Sequence, residues 1–132
     1  LVPAPPTAQA PRMPLAATAL TLLVALLHVW ILVLEMFLWT TPYGRRTFRL
    51  TEEQAKATRV LAANQGLYNG FLAAGLAWSL LLGAGGLYVR TFFLGCVLVA
   101  GVFGGLTATR KIFFVQALPA ALALALTWLG WP

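Results

Sequence analysis

Chemistry in this chain rests on a few polar residues set in apolar surroundings. Glu35 is the one carboxylate inside an apolar run, and His28 stands seven residues before it, two helical turns along the same face. Asn64, Gln65, Tyr68 and Asn69 place three amides and a phenol within six residues of a second apolar stretch. Gln116 lies in the last apolar run, and Arg45, Arg46 and Arg59 precede the second one. An acid and an imidazole seven residues apart are separated by ~10 Å along a helix axis, too far to touch but close enough to line one cavity. Amides and a phenol orient a small molecule through hydrogen bonds. Arginines hold an anionic group. Each feature also has a plainer explanation. Amides can be interhelical hydrogen bonds worth ~0.6 kcal/mol each. His28 can be a neutral imidazole bonded to a backbone carbonyl.

Other chemistries find no support in the residues. One histidine, one cysteine and one acid within the apolar runs are too few for a closed zinc site, so no metal is expected. No phosphate-binding loop or nucleophile elbow occurs. Ser79 is the only serine and sits beside Trp78 in an apolar run. Cys96, among Gly95, Val97 and Leu98, reads as a small packing residue. Net charge is +6, but the basic residues fall in short segments between apolar runs, without a basic stripe and interleaved aromatics. That placement suits lipid headgroups and argues against nucleic acid.

The elements that must carry these groups follow from the apolar runs. Hydrophobic residues make up 61% of the 132-residue chain and charged ones 9%, an excess too large for a soluble core of this size. The expected fold is all-α, an integral membrane four-helix bundle with spans at residues 15–39, 60–82, 87–108 and 112–131. Residues 1–14, rich in Pro and Ala, read as a disordered tail, with Met13 a natural start. Residues 15–132 form one domain. Pro42 and Gly44 are expected to stop the first helix. Thr51 to Gln54 has the form of a capping box, so the second helix starts at Glu52, before the bilayer. Glu52 and Lys56 form an i,i+4 pair. Gly83 to Gly86 is a tight connection, Arg90 should snorkel to the headgroups, and Pro119 should kink the last helix.

Ala62, Gly66, Gly70 and Ala74 make a small-residue ridge for close helix approach, and Gly101 and Gly105 offer a matching face. Five basic residues lie in and after the first loop (Arg45, Arg46, Arg49, Lys56 and Arg59), and two, Arg110 and Lys111, in the third. The excess of positive charge puts loops 40–59 and 109–111 in the cytoplasm and both termini outside.

Two strings then point to a family. LEMFLWT over Leu34 to Thr40 and AANQGLYNGFLAAG over Ala62 to Gly75 resemble the bacterial membrane proteins called domain of unknown function 1304. The likeness covers about Pro14 to Gly130. It implies a bacterial inner-membrane protein and places His28, Glu35, Asn64, Gln65, Tyr68 and Asn69 in the family's own pattern. It implies no activity. A second likeness is to membrane-associated proteins in eicosanoid and glutathione metabolism, which are four-helix trimers. Arg59, Asn64 and Tyr68 echo their second helix, but Leu67 stands where their glutamate falls, and Arg59 is one residue out of register. A third is to small multidrug transporters, with one acid in the first span.

Three functions are compatible with these features. The first is binding or carrying a small lipophilic or amphipathic molecule in the bilayer, with His28, Glu35, Asn64, Gln65, Tyr68, Asn69 and Gln116 as ligand-binding groups. The second is a glutathione-dependent transferase, with Arg45, Arg46 and Arg59 on the anionic cofactor. The third is a structural or assembly protein. A homo-oligomer, dimer or trimer, is expected in each case, because small four-span proteins with small-residue ridges often complete their cores between copies.

Overall fold

The computed structural model describes residues 1–4 and 11–131. Part of the expected tail, residues 5–10, lies outside the described residues, and residues 11–14 carry no helix or strand. The fold is all-α. Its helices are α1 (Leu15–Phe37), α2 (Pro42–Phe48), α3 (Glu52–Leu81), α4 (Leu87–Thr107) and α5 (Leu118–Leu129). A 3-10 turn over Gly83–Gly86 joins α3 to α4, and a π-helical segment over Phe113–Ala117 runs directly into α5.

Helix α1 has no Gly or Pro and ends at Phe37, two residues before the expected Trp39. The Thr41 hydroxyl donates to the Leu38 carbonyl at 2.6 Å and turns the chain there. Pro42 and Gly44 do not act as a stop. Pro42 opens α2, where its missing N–H costs nothing, and the Gly44 N–H donates to the Thr41 hydroxyl at 3.1 Å. A side chain at Gly44 would strike the Leu38 carbonyl. Arg49, at φ 55°, ends α2 in the left-handed region. The Trp39 indole N–H donates to the Thr58 hydroxyl at 3.0 Å and ties this corner to α3.

The capping box at the start of α3 is complete. The Gln54 N–H donates to the Thr51 hydroxyl at 3.1 Å, and the Thr51 N–H donates to the Gln54 side chain at 3.0 Å. Lys56 Nζ lies 3.1 Å from Glu52 Oε1. The Lys56 hydrogen bond and charge, with Arg45 nearby, hold the Glu52 carboxyl below its ordinary range. A depressed carboxyl pKa adds stability above the unfolded value that is lost as pH falls through the folded one. Lys56→Gln should therefore move the Glu52 titration upward. NMR of the side-chain carboxyl checks this; an unmoved midpoint would show that Lys56 is not the cause.

The long segments pack antiparallel in sequence order. Gly66 lies against Glu35 and Met36, and Gly70 against Leu32, so the small-residue ridge of α3 receives α1. Gly75 faces the Phe93 ring across the α3–α4 contact. Gly101 and Gly105 do not meet that ridge. They face Ala117 and Phe113 of the π segment. Gly130 packs on Pro14, and α5 also contacts α1, so each long segment touches two others. Pro119, at the second position of α5, produces the π segment instead of a simple kink. Its ring would crowd the carbonyl of Val115, which lies inside that wider turn.

The centre is small. Val24, Ala25, Leu76, Leu94, Val97, Ala120 and Ala123 form the buried cluster, and several bulky side chains, including Leu26, Phe71, Phe92, Phe103 and Phe114, face outward. Among the described residues, two helical stretches are long and apolar enough to cross a membrane, Leu15–Phe37 and Gly83–Thr107. Phe113–Leu129 is apolar but shorter, because the chain breaks near Thr109. Helix α3 is long enough, but its charged first turns and its amides leave it outside that pair. Arg90 does not snorkel outward. It is 1% exposed, folded under the α3–α4 turn.

Candidate functional site

The site begins with a glycine. With no side chain at Gly66, α1 and α3 approach closely enough for Glu35 and Asn69 to meet. Asn69 Nδ2 donates to Glu35 Oε2 at 2.8 Å. The same amide nitrogen lies 3.2 Å from the Gln65 carbonyl oxygen, one turn back. That second contact holds the amide in place, and both side chains are half-buried. A carboxylate bonded to one amide keeps further lone pairs for a cationic or hydrogen-donating group.

An apolar groove of about 360 Å³ runs between the same two helices. Leu22, Leu26, Val29 and Leu32 form its α1 wall, and Gly70, Ala73, Ala74 and Ala77 its α3 wall. Small residues on α3 create the space. One end of the groove is at Leu32 and Gly70, so Glu35 and Asn69 stand within one turn of it. A separate apolar hollow of about 270 Å³ borders the π segment at Phe113, Phe114 and Ala117.

The other residues singled out in the sequence are dispersed. His28 is fully buried, with Nδ1 2.8 Å from the Val24 carbonyl oxygen and Nε2 without a partner among the described residues. Asn64 is exposed and its amide donates to the Val60 carbonyl at 2.9 Å. Gln65 is exposed, and Tyr68 is 61% exposed beside Phe71. Gln116 is half-buried and reaches the Val97 carbonyl at 3.5 Å. Arg46 and Arg59 are exposed, whereas Arg45 is half-buried with its Nε unpartnered among the described residues. No hydrogen bond joins these arginines to Asn64 or Tyr68 among the described residues, and no three metal-ligating side chains converge there.

Arg90 is the polar group that sequence reasoning misplaced. Its guanidinium reaches the Ser79 carbonyl at 3.4 Å beneath the Gly83–Gly86 turn. The available signal was the four-residue interval from Gly86 to Arg90. A side chain at Gly86 would strike the Ser79 carbonyl, so α3 and α4 close tightly there.

Fold and site together define a small all-α protein with a carboxylate–amide bond between two helices at the end of an apolar groove. Residues 22–128 match the family described as "Protein of unknown function (DUF1304)", and the chain belongs to it. Glu35, Asn69 and Arg90 all fall within the matched residues. The chain is also 33% identical over 107 residues to the "Uncharacterized protein YpaA" of Lactococcus lactis subsp. lactis (strain IL1403), covering 80% of this chain and 90% of that relative. No solved structure matches significantly.

Proposed function

We propose that the chain is a four-span protein of the bacterial inner membrane that binds or carries a small amphipathic molecule. The observation that carries the ligand is the Glu35–Asn69 bond at the end of the α1–α3 groove. An apolar tail lies along Leu26, Val29 and Ala74, and its polar or cationic head meets the carboxylate. The groove opens to the outer surface of the helices, so the ligand enters sideways from the lipid.

Membrane embedding is supported by the outward-facing bulk. Only 33% of the most apolar window of α1 and 28% of that in Gly83–Thr107 is buried. The core helix of a soluble protein would be mostly buried, and this much exposed hydrocarbon needs lipid or a partner. The excess of basic residues in loops 40–59 and 109–111 supports a cytoplasmic position for both, with both termini outside. Glu35 then lies near the cytoplasmic end of α1. Asn64, Gln65 and Tyr68 face away from the fold, and such polar groups within a span support association of copies through α3.

Binding of a fluorescent long-chain alkylamine to protein in lipid vesicles tests the ligand reading. Glu35→Gln keeps an acceptor for Asn69 but removes the charge, and Ala74→Phe fills the groove. Each should weaken binding by roughly tenfold or more, as expected when a hydrogen bond to a charged group or a packed contact is lost. Unchanged affinity in both folded variants would exclude this site.

A further inference from the structure

We propose that Arg90, with the hydroxyls of Thr21, Ser79 and Thr127, forms a buried site for a small monovalent anion of the halide type. The site lies at the opposite end of the helices from Glu35, near the level at which the groove ends at Leu22 and Ala77. Arg90 is 1% exposed, yet the one hydrogen bond of its guanidinium among the described residues is the long one to the Ser79 carbonyl, at 3.4 Å. Nε and Nη1 are buried and have no partner among the described residues. A buried guanidinium in that state is costly, because it has lost water without gaining a counter-charge.

No side-chain carboxylate of this chain supplies that charge. The three are Glu35, Glu52 and Glu53. Glu52 begins α3 and lies ~40 Å along its axis from Ser79, and Glu53 is beside it. Glu35 is held by Asn69, ten residues or ~15 Å before Ser79 on the same helix. We infer that the counter-charge is an ion from solution, since no side-chain carboxylate stands at this end of the helices.

The surroundings suit an ion of one atom. Thr21, Ser79 and Thr127 are fully buried. They stand three or four residues from Val24, Leu76 and Ala123, as Arg90 does from Leu94. With the helices antiparallel, all four steps lead toward the α3–α4 turn. One polar residue from each of four helices therefore lies about one turn outward from the apolar cluster, and of the three hydroxyl residues Ser79 is the one whose backbone Arg90 touches. The three hydroxyls donate to the carbonyls of Ala17, Leu76 and Ala123 at 2.7, 2.6 and 2.7 Å. Each can rotate its proton toward an anion without unwinding its helix. Guanidinium N–H groups and hydroxyls together are donors a halide accepts from. Near-complete enclosure rules against a lipid phosphate, whose glycerol would have to follow it in.

Thermal unfolding of the purified protein in detergent tests this, with sodium bromide exchanged against sodium gluconate at constant ionic strength. The wild type should show a saturable rise in Tm with bromide. Thr127→Val keeps the shape and removes one donor, so the bromide midpoint should rise about tenfold. Arg90→Met should abolish the response. If Arg90→Met does not fold, Ser79→Ala takes its place and should also raise the midpoint. A wild type without saturable bromide dependence, or a Thr127→Val variant with an unmoved midpoint, would overturn the proposal.

Discussion

Gly101→Val should lower stability by about 3 kcal/mol and separate α4 from the last helical segment. A Cβ at Gly101 would lie 2.6 Å from the backbone nitrogen of Ala117 and 2.9 Å from its Cα and Cβ. These atoms belong to the π segment, which is already held between Ile112 and Pro119 and cannot swing away as a side-chain tip would. Valine adds two methyl groups to that clash. Gly95 provides the control, since a Cβ there would meet no atom outside its own helix. Gly95→Ala should be neutral or stabilising, by up to ~1 kcal/mol from helix propensity alone. Chemical unfolding of both variants in detergent reads the contrast. Similar losses in the two would mean that the contact of α4 with the π segment is not close-packed.

The second large effect concerns Asn69. Asn69→Leu leaves the half-buried Glu35 carboxylate without its cross-helix donor and should cost about 1–3 kcal/mol. Glu35→Leu should cost a similar amount, because the Asn69 amide then keeps only the Gln65 carbonyl. The double variant should be less damaged than the sum of the two, with a coupling of about 1–2 kcal/mol, since neither polar group remains to be desolvated alone. Additive losses would show that the bond contributes nothing between the helices, and Glu35 would then lose its anchor in the proposed site.

The sequence made local features legible and left most partners hidden. The capping box from Thr51 to Gln54 and the Glu52–Lys56 pair could be read because the interacting atoms lie within one helical turn. Glu35 and Asn69 were both singled out, but nothing in the spacing said that they meet. That depends on the offset between two antiparallel helices, which Gly66 and Gly70 set by receiving Met36 and Leu32. The glycines of α4 were legible as a close contact, although they meet the π segment before α5 and not α3: a row of small residues permits approach without naming the neighbour. Pro42 was ambiguous for a different reason, since proline both ends one helix and begins the next. Arg90 stood where a helix end normally meets headgroups, and only the depth of the glycine turn reverses its direction.

The π segment before α5 has a consequence for how the chain tolerates change in length. A π turn spends more residues per rotation than an α turn over a similar rise. Phe113 is fixed against Gly105 on one side of it, and Ala120 and Ala123 are locked into the central cluster on the other. The surplus is therefore stored as a local widening, and the two anchored faces keep their orientation. In this helix the wide turn acts as a slack loop in a tensioned cord. The wide turn at Phe113–Ala117 thus absorbs a surplus residue while the contacts above and below it stay in register.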